Sequence, residues 1–131
     1  MKNSDRIVGG HPAPSMIPWQ VYLPEADFCG GVVLDSCTIL TAAHCKNSQG
    51  HFIRAGSRNK DQGGQIRYIS KVITHDYYHS DYKDYDFEIL KLSSPLTLSN
   101  DVKPACLPSS TWWASSSKAR CFVSGWGNTG M

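Results

Sequence analysis

The sequence has no apolar run long enough to cross a bilayer, and residues 1–6 lack the hydrophobic stretch of a signal peptide. It also has no basic run and no interleaving of aromatic with basic residues. Its 13 basic and 11 acidic side chains are spread along the chain and give a net charge of +2. We therefore expect neither a membrane nor a nucleic acid as a partner.

Cysteine spacing typical of a zinc site is also missing, although the chain has five cysteines. So many cysteines in a small chain favour an oxidising compartment, and an odd number leaves at least one thiol without an internal disulfide partner. We expect a secreted, extracellular protein whose export signal is not among these residues. On this hypothesis the sequence begins at a mature or trimmed end.

No long segment shows a helical period. Short apolar or β-branched runs are instead separated by Gly, Pro, Asn, Asp and Ser, and they cover residues 20–23, 28–34, 38–41, 51–55, 66–74, 87–92 and 121–126. This pattern predicts an all-β sandwich or barrel. Between the runs, residues 57–64 are expected to form an exposed hairpin loop, and residues 93–117 a long connection.

The most informative segment is Leu40-Thr41-Ala42-Ala43-His44-Cys45, which places a histidine in an apolar setting. A histidine changes charge near neutral pH, so a fixed one is suited to proton transfer as a general base. The alternative is a buried histidine held by one backbone hydrogen bond. The rest of the sequence has to decide between the two.

The histidine segment is one of five short motifs that follow one another along the chain. One of the others is Phe28 to Val32, which precedes the histidine. The other three are Arg6-Ile7-Val8-Gly9-Gly10, Asp86-Phe87-Glu88-Ile89-Leu90-Lys91-Leu92 and Ser124-Gly125-Trp126-Gly127. In this order and spacing they resemble the amino-terminal portion of the chymotrypsin-like (trypsin-like) serine endopeptidases. The resemblance runs over residues 6–130.

The resemblance implies an antiparallel six-stranded barrel, the first of the family's two barrels, with the second barrel mostly missing. It divides the chain into a propeptide remnant at 1–6 and a first β-barrel at 7–110. Residues 111–131 would hold the connection between barrels and the first strand of the truncated second barrel.

By resemblance the reaction is peptide-bond hydrolysis through an acyl-enzyme. His44 matches the base that takes the proton of the nucleophilic serine, and Asp86 matches the carboxylate that orients it. A strand-start or turn aspartate is the alternative for Asp86. Asp84 lies two residues too early for the family's pattern.

Other positions carry further family features. The Arg6-Ile7 bond would be cut in a zymogen by an activating protease, and Cys29 and Cys45 would form a disulfide beside the histidine. Cys106 and Cys121 match cysteines whose family partners are not in this sequence, and Cys37 has no counterpart.

The sequence departs from the family because Gly-Asp-Ser-Gly-Gly, the motif of the nucleophile, is absent. We therefore expect negligible peptidase activity from this chain alone. The alternative is a non-catalytic pseudoprotease or binding module. The resemblance implies protein or peptide substrates and protein protease inhibitors as partners.

No cofactor and no metal are expected. The loop that holds calcium in some family members offers here only Asp61, within residues 57–65. His75 and His79 would suit zinc on a helix, but the residues between them favour an exposed loop.

Glu88 is a second departure, because the family usually has a small or apolar side chain there. A carboxylate at this place would be costly to bury unless paired, and it could raise the pKa of Asp86. Alternatively, it reaches solvent or a lysine.

Overall fold

The computed structural model describes residues 9–26, 29–109 and 120–127. Within them the chain forms six β-strands, which are β1 (Gln20–Leu23), β2 (Cys29–Asp35), β3 (Thr38–Thr41), β4 (Phe52–Ala55), β5 (Gln65–Thr74) and β6 (Glu88–Leu92). The first six predicted runs match these strands to within one residue at either end. The described part contains no helix long and apolar enough to span a membrane.

The six strands form one closed antiparallel barrel in the order β1-β2-β3-β6-β5-β4. Two three-stranded meanders, β1–β3 and β4–β6, are joined by pairing of β3 with β6 and of β1 with β4. The predicted all-β fold with a six-stranded antiparallel barrel is confirmed. The β3–β6 seam is the part that matters for the site, because it places the ends of two distant chain segments side by side.

In β4 and β6 the side chains alternate between the barrel interior and its surface, as expected for strands with one buried face. In β6, Glu88, Leu90 and Leu92 are buried, while Ile89 is half-buried and Lys91 is exposed. The largest fully buried side chains of the interior are aliphatic: Leu23, Ile39, Ile53, Ile69, Leu90, Val21, Val33 and Val102. Burial of these apolar side chains is the main free-energy gain of the fold.

The connection after β6 folds back onto the barrel. Leu96 and Val102 are buried in the core cluster. The backbone N–H of Leu96 donates to Ser36 O at 2.7 Å, and that of Ala105 donates to Val33 O at 2.8 Å. Residues 93–109 thus form an irregular segment with fixed contacts, in agreement with the predicted connection.

The predicted strand at 121–126 is wrong for the part of the chain that the structure describes. Residues 120–127 contain no strand assignment, and Phe122 and Val123 are largely exposed. A strand exists only when a neighbouring strand accepts and donates its hydrogen bonds, and no such neighbour lies among the described residues. The apolar pattern alone did not specify that partner.

The hairpin loop between β4 and β5 is exposed, as predicted, and it is organised by Arg54. The guanidinium group of this β4 residue donates to three backbone carbonyl oxygens, those of Lys60, Asp61 and Gly63, at 3.1, 3.2 and 2.7 Å. Gly64 closes the loop with φ of 65°, and a Cβ there would collide with the carbonyl oxygen of Ala55. The positively charged side chain of Arg54 therefore binds the carbonyl groups of this loop.

Two isoleucines of β5 distinguish the barrel interior from its surface. Ile69 is 1% exposed and Ile73 is 41% exposed. We expect Ile69→Ala to lower the free energy of unfolding by about 2–5 kcal/mol, since it leaves a cavity in the core. The matched control Ile73→Ala should cost less than about 1 kcal/mol. Urea unfolding of both variants measures the difference, and equal losses would contradict the assigned barrel interior.

Candidate active site

A short turn follows β3 and carries His44. The 3-10 turn Ala43–Cys45 ends at Lys46, which adopts a left-handed conformation with φ of 56°. Two contacts connect the turn, and the end of β3 that leads into it, to β2. Cys45 forms a disulfide with Cys29, the first residue of β2, and Thr41 Oγ1 donates to Gly30 O at 2.8 Å. The Cys29–Cys45 pairing implied by the resemblance is therefore present.

The carboxylate of Asp86 holds His44 with both of its oxygens. Oδ1 accepts the backbone N–H of His44 at 2.8 Å, and Oδ2 lies 2.5 Å from His44 Nδ1. The two residues are 42 positions apart in sequence. One carboxylate thus fixes both the backbone and the ring of the histidine.

Exposure differs between the two partners in a way that suits proton transfer. The side chain of His44 is 47% exposed, whereas that of Asp86 is 20% exposed. With Nδ1 facing Asp86, Nε2 is left without a hydrogen-bond partner among residues 9–26, 29–109 and 120–127. A neutral ring with its proton on Nδ1 would offer the lone pair of Nε2 to a neighbouring group.

The electrostatics of Asp86 reflect this contact. Burial raises the pKa of Asp86, but hydrogen bonds from the His44 ring and from the backbone N–H groups of His44 and Ala43, with the charge of His44, oppose it. Their combined effect lowers the pKa of Asp86 below its ordinary value. The carboxyl group is therefore held ionised, as an orienting acid must be.

Of the two alternatives for Glu88, the structure shows the buried carboxylate with paired oxygens. It is buried, and the hydrogen bonds of its carboxylate within the described residues go to an amide and a hydroxyl, not to a lysine. Its Oε1 accepts from Asn47 Nδ2 at 3.0 Å, and its Oε2 accepts from Thr74 Oγ1 at 3.1 Å. The pKa of Asp86 is not raised, as such a carboxylate could have done, because hydrogen bonds from His44 and Ala43 lower it. No sequence pattern indicated Asn47 or Thr74, since each is far from Glu88 along the chain.

The loop before Asp86 is packed through aromatic rings. His75 stacks on Tyr85 with ring centroids 4.7 Å apart, and Tyr77 packs edge-on to Tyr85. Tyr85 has φ of 51°, a left-handed conformation that is uncommon outside glycine. The residue directly before Asp86 is thus held in a specific geometry that sequence patterns did not indicate.

Possible metal ligands have other partners. Within the described part, Cys29, His44 and Cys45 place ligand atoms within 4.8 Å of one another, but the two sulfur atoms are bonded together. His75 and His79 lie in an exposed loop, as expected, and not on a helix. Their rings contact Tyr85 and Tyr82, respectively.

The remaining predicted positions do not join the site. Cys37 is a half-buried free thiol, and Cys106 and Cys121 are exposed free thiols. Arg6 and Ile7, where we expect activation cleavage, lie outside the described residues. Of the predicted site residues, the structure therefore brings together His44, Asp86, Cys29 and Cys45.

Comparison with known proteins agrees with this arrangement. The family model described as Trypsin matches residues 7–131. The chain is 39% identical to cationic trypsin-3 of Rattus norvegicus and to trypsin of Sus scrofa, each over 97% of the chain and over 52% and 55% of those proteins. It is 38% identical to trypsin 5G1 of Aedes aegypti over 98% of the chain and 50% of that protein. The chain thus spans about half the length of the curated relatives it matches.

The lowered pKa of Asp86 gives a prediction with a definite sign. Its ionised form stabilises the fold at a pH above the ordinary aspartate pKa, and this contribution is lost as pH falls through the folded pKa. We expect Asp86→Asn to reduce the free energy of unfolding near about pH 7 and to cost progressively less in acid.

Denaturant unfolding across pH measures this difference between wild type and variant. In a His44→Ala background the effect of Asp86→Asn should shrink, because the hydrogen bond from the ring is gone. A pH-independent difference between wild type and Asp86→Asn would contradict the assignment.

Proposed function

The chain belongs to the trypsin family, and on that premise we propose that it supplies a general base, His44, and its orienting acid, Asp86, to a serine endopeptidase. The observation that carries the proposal is the double contact of the Asp86 carboxylate with the His44 backbone and ring. A carboxylate used only as a strand-start residue has no need to fix a ring nitrogen. The reaction class is peptide-bond hydrolysis through an acyl-enzyme.

The proposed mechanism follows from the orientation of the ring. Asp86 accepts a hydrogen bond from the N–H at Nδ1 of His44, so the proton stays on Nδ1 and the lone pair is on Nε2. Nε2 would take the hydroxyl proton of a serine as that oxygen attacks the substrate carbonyl, and would then return it to the leaving amine. The charge on Asp86 stabilises the imidazolium formed between these two steps.

We propose that the nucleophilic serine is not among these 131 residues, which contain no Gly-Asp-Ser-Gly-Gly. These residues alone should then form no acyl-enzyme, because a base without a nucleophile has nothing to deprotonate. The proposed partners are protein or peptide substrates and protein protease inhibitors. A non-catalytic pseudoprotease or binding module is the competing function, and the activity of a chimera with a complete second barrel distinguishes the two.

The proposed setting is extracellular, and it includes activation by proteolysis. The Cys29–Cys45 disulfide favours an oxidising compartment. Arg6 directly precedes Ile7-Val8-Gly9-Gly10, so a protease that cuts after basic residues would release a hydrophobic amino terminus.

A single-chain chimera tests the catalytic assignment. Residues 7–127 of this chain would be joined to the portion of Sus scrofa trypsin that follows the matched segment, and hydrolysis of chromogenic peptide amides would be measured. We expect His44→Ala and Asp86→Asn to lower kcat strongly. The loss already known for the corresponding aspartate variant of a family member is about 10⁴-fold, and it sets the scale for this comparison.

The matched controls are His79→Ala and Asp84→Asn, the same residue types in the neighbouring loop. They should change kcat by less than about tenfold, since the contacts of these side chains are with the Tyr82 ring and with the backbone N–H of Tyr85. Unchanged activity in the His44→Ala chimera would overturn the endopeptidase proposal. Circular dichroism checks that each chimera is folded.

Limited proteolysis tests the activation site. Treatment of the chain with trypsin, followed by amino-terminal sequencing, should reveal a new terminus at Ile7. The variant Arg6→Gln should not yield it, because the basic residue is gone. An intact Arg6-Ile7 bond in the wild-type chain under these conditions would argue against a zymogen.

A further inference from the structure

A polar cluster lies beside the His44–Asp86 pair and has no part in the proposed proton transfers. It consists of Glu88 and Asn47, which are 3% and 9% exposed, and of Thr74, an exposed residue of β5 whose hydroxyl reaches Glu88. A buried carboxylate is costly unless its oxygens are paired, and both oxygens of Glu88 are paired, with Asn47 and with Thr74. The cluster therefore has a defined geometry.

The position of Glu88 connects three parts of the barrel. It lies on β6, where its register partners are Thr41 of β3 and Thr74 of β5. Its hydrogen bond to Asn47 adds the segment that follows the 3-10 turn, 41 residues away in sequence. Asp86 precedes Glu88 by two residues. One short segment therefore binds the turn at His44, through Asp86, and just after the turn at Asn47, through Glu88.

The backbone at the end of the turn is strained and has to be restrained by its neighbours. Lys46 lies between His44 and Asn47 in a left-handed conformation, which is disfavoured for residues other than glycine. Strained conformations persist only when their surroundings impose them. The disulfide fixes Cys45 before Lys46, and the hydrogen bond from Asn47 to Glu88 fixes the chain after it.

Asn47 is joined to Glu88 through its amide nitrogen. Its Oδ1 is buried and has no hydrogen-bond partner among the described residues. An unpaired buried acceptor carries a desolvation cost that an apolar side chain would avoid. The benefit that offsets this cost is the directional hydrogen bond of its Nδ2 with Glu88.

We propose that Glu88 is a positioning residue for His44, acting through Asn47 to fix the turn that aims the histidine at Asp86. This inference rests on the proposed function. Glu88 itself would touch neither substrate nor the reacting atoms. Its hydrogen bonds do not require a charge, so an isosteric amide should serve nearly as well.

Two substitutions of Glu88 separate shape from hydrogen bonding. In Glu88→Gln the amide oxygen can accept from Asn47, and the amide nitrogen can donate to Thr74 Oγ1. Glu88→Met keeps a similar volume and loses both contacts. Asn47→Ala removes the same hydrogen bond from the other side and serves if the methionine variant does not fold.

Nuclear magnetic resonance of the chain provides readouts that do not depend on catalysis. The backbone N–H of His44 donates to Asp86, so its hydrogen-exchange rate reports the contact, and a low-field resonance of the Nδ1 proton reports the ring. We expect Glu88→Met and Asn47→Ala to speed exchange of the His44 amide at least about tenfold and to broaden or remove the low-field resonance. Glu88→Gln should retain both signals.

Thr38→Val is the matched control for general destabilisation. Thr38 is a buried polar residue of β3 that accepts a hydrogen bond from Lys91 Nζ at 2.8 Å. Exchange of the Leu90 amide in β6 reports global stability in every variant. Thr38→Val should leave the ratio of His44 to Leu90 exchange rates unchanged, whereas Glu88→Met and Asn47→Ala should raise it.

The outcomes are distinguishable. An unchanged ratio and an unchanged low-field resonance in both Glu88→Met and Asn47→Ala would overturn the positioning role and leave the proposed function intact. A wild-type chain with neither a protected His44 amide nor a low-field resonance would overturn the His44–Asp86 pair itself, and with it the proposed function. A raised ratio in both variants, with retention in Glu88→Gln, supports the inference.

Discussion

The contact between the carboxylate of Asp86 and His44 is the interaction on which the candidate site depends. One oxygen holds the backbone of the histidine and the other holds its ring, so the position and the tautomer of the imidazole are set by one group. Two hydrogen bonds to a partly buried carboxylate also keep that carboxylate ionised. The proposed chemistry needs both properties, because a base must point outward and its orienting acid must stay charged.

This contact is a product of the closed barrel. Strand β3 leads into the turn that carries His44, Asp86 lies just before β6, and β3 and β6 pair in antiparallel register. Thr41 at the end of β3 lies opposite Glu88 at the start of β6. This pairing brings His44, which follows β3, next to Asp86, which precedes β6. The disulfide to β2 and the polar cluster around Glu88 then restrain the turn from two further directions.

Much of the fold could be predicted because alternation of apolar and polar residues is a local property. The runs at 20–23 and 38–41 correspond to β1 and β3 without change. Residues 121–126 show a similar pattern and yet form no strand among the described residues. Alternation indicates that a segment suits a sheet, but it does not supply the neighbouring strand.

The sequence by itself determined the residue types of the candidate site and the family to which they point, because His44, Asp86 and Cys29 lie in short motifs of fixed order. It determined neither the surroundings of Glu88 nor the left-handed residues Lys46 and Tyr85. Those were decided by tertiary structure, because the groups that pair with Glu88 lie 14 and 41 residues away and meet it only when the barrel closes. Burial and hydrogen-bond partners are properties of that closed arrangement, so a motif could indicate an acid and a base but not the network that holds them.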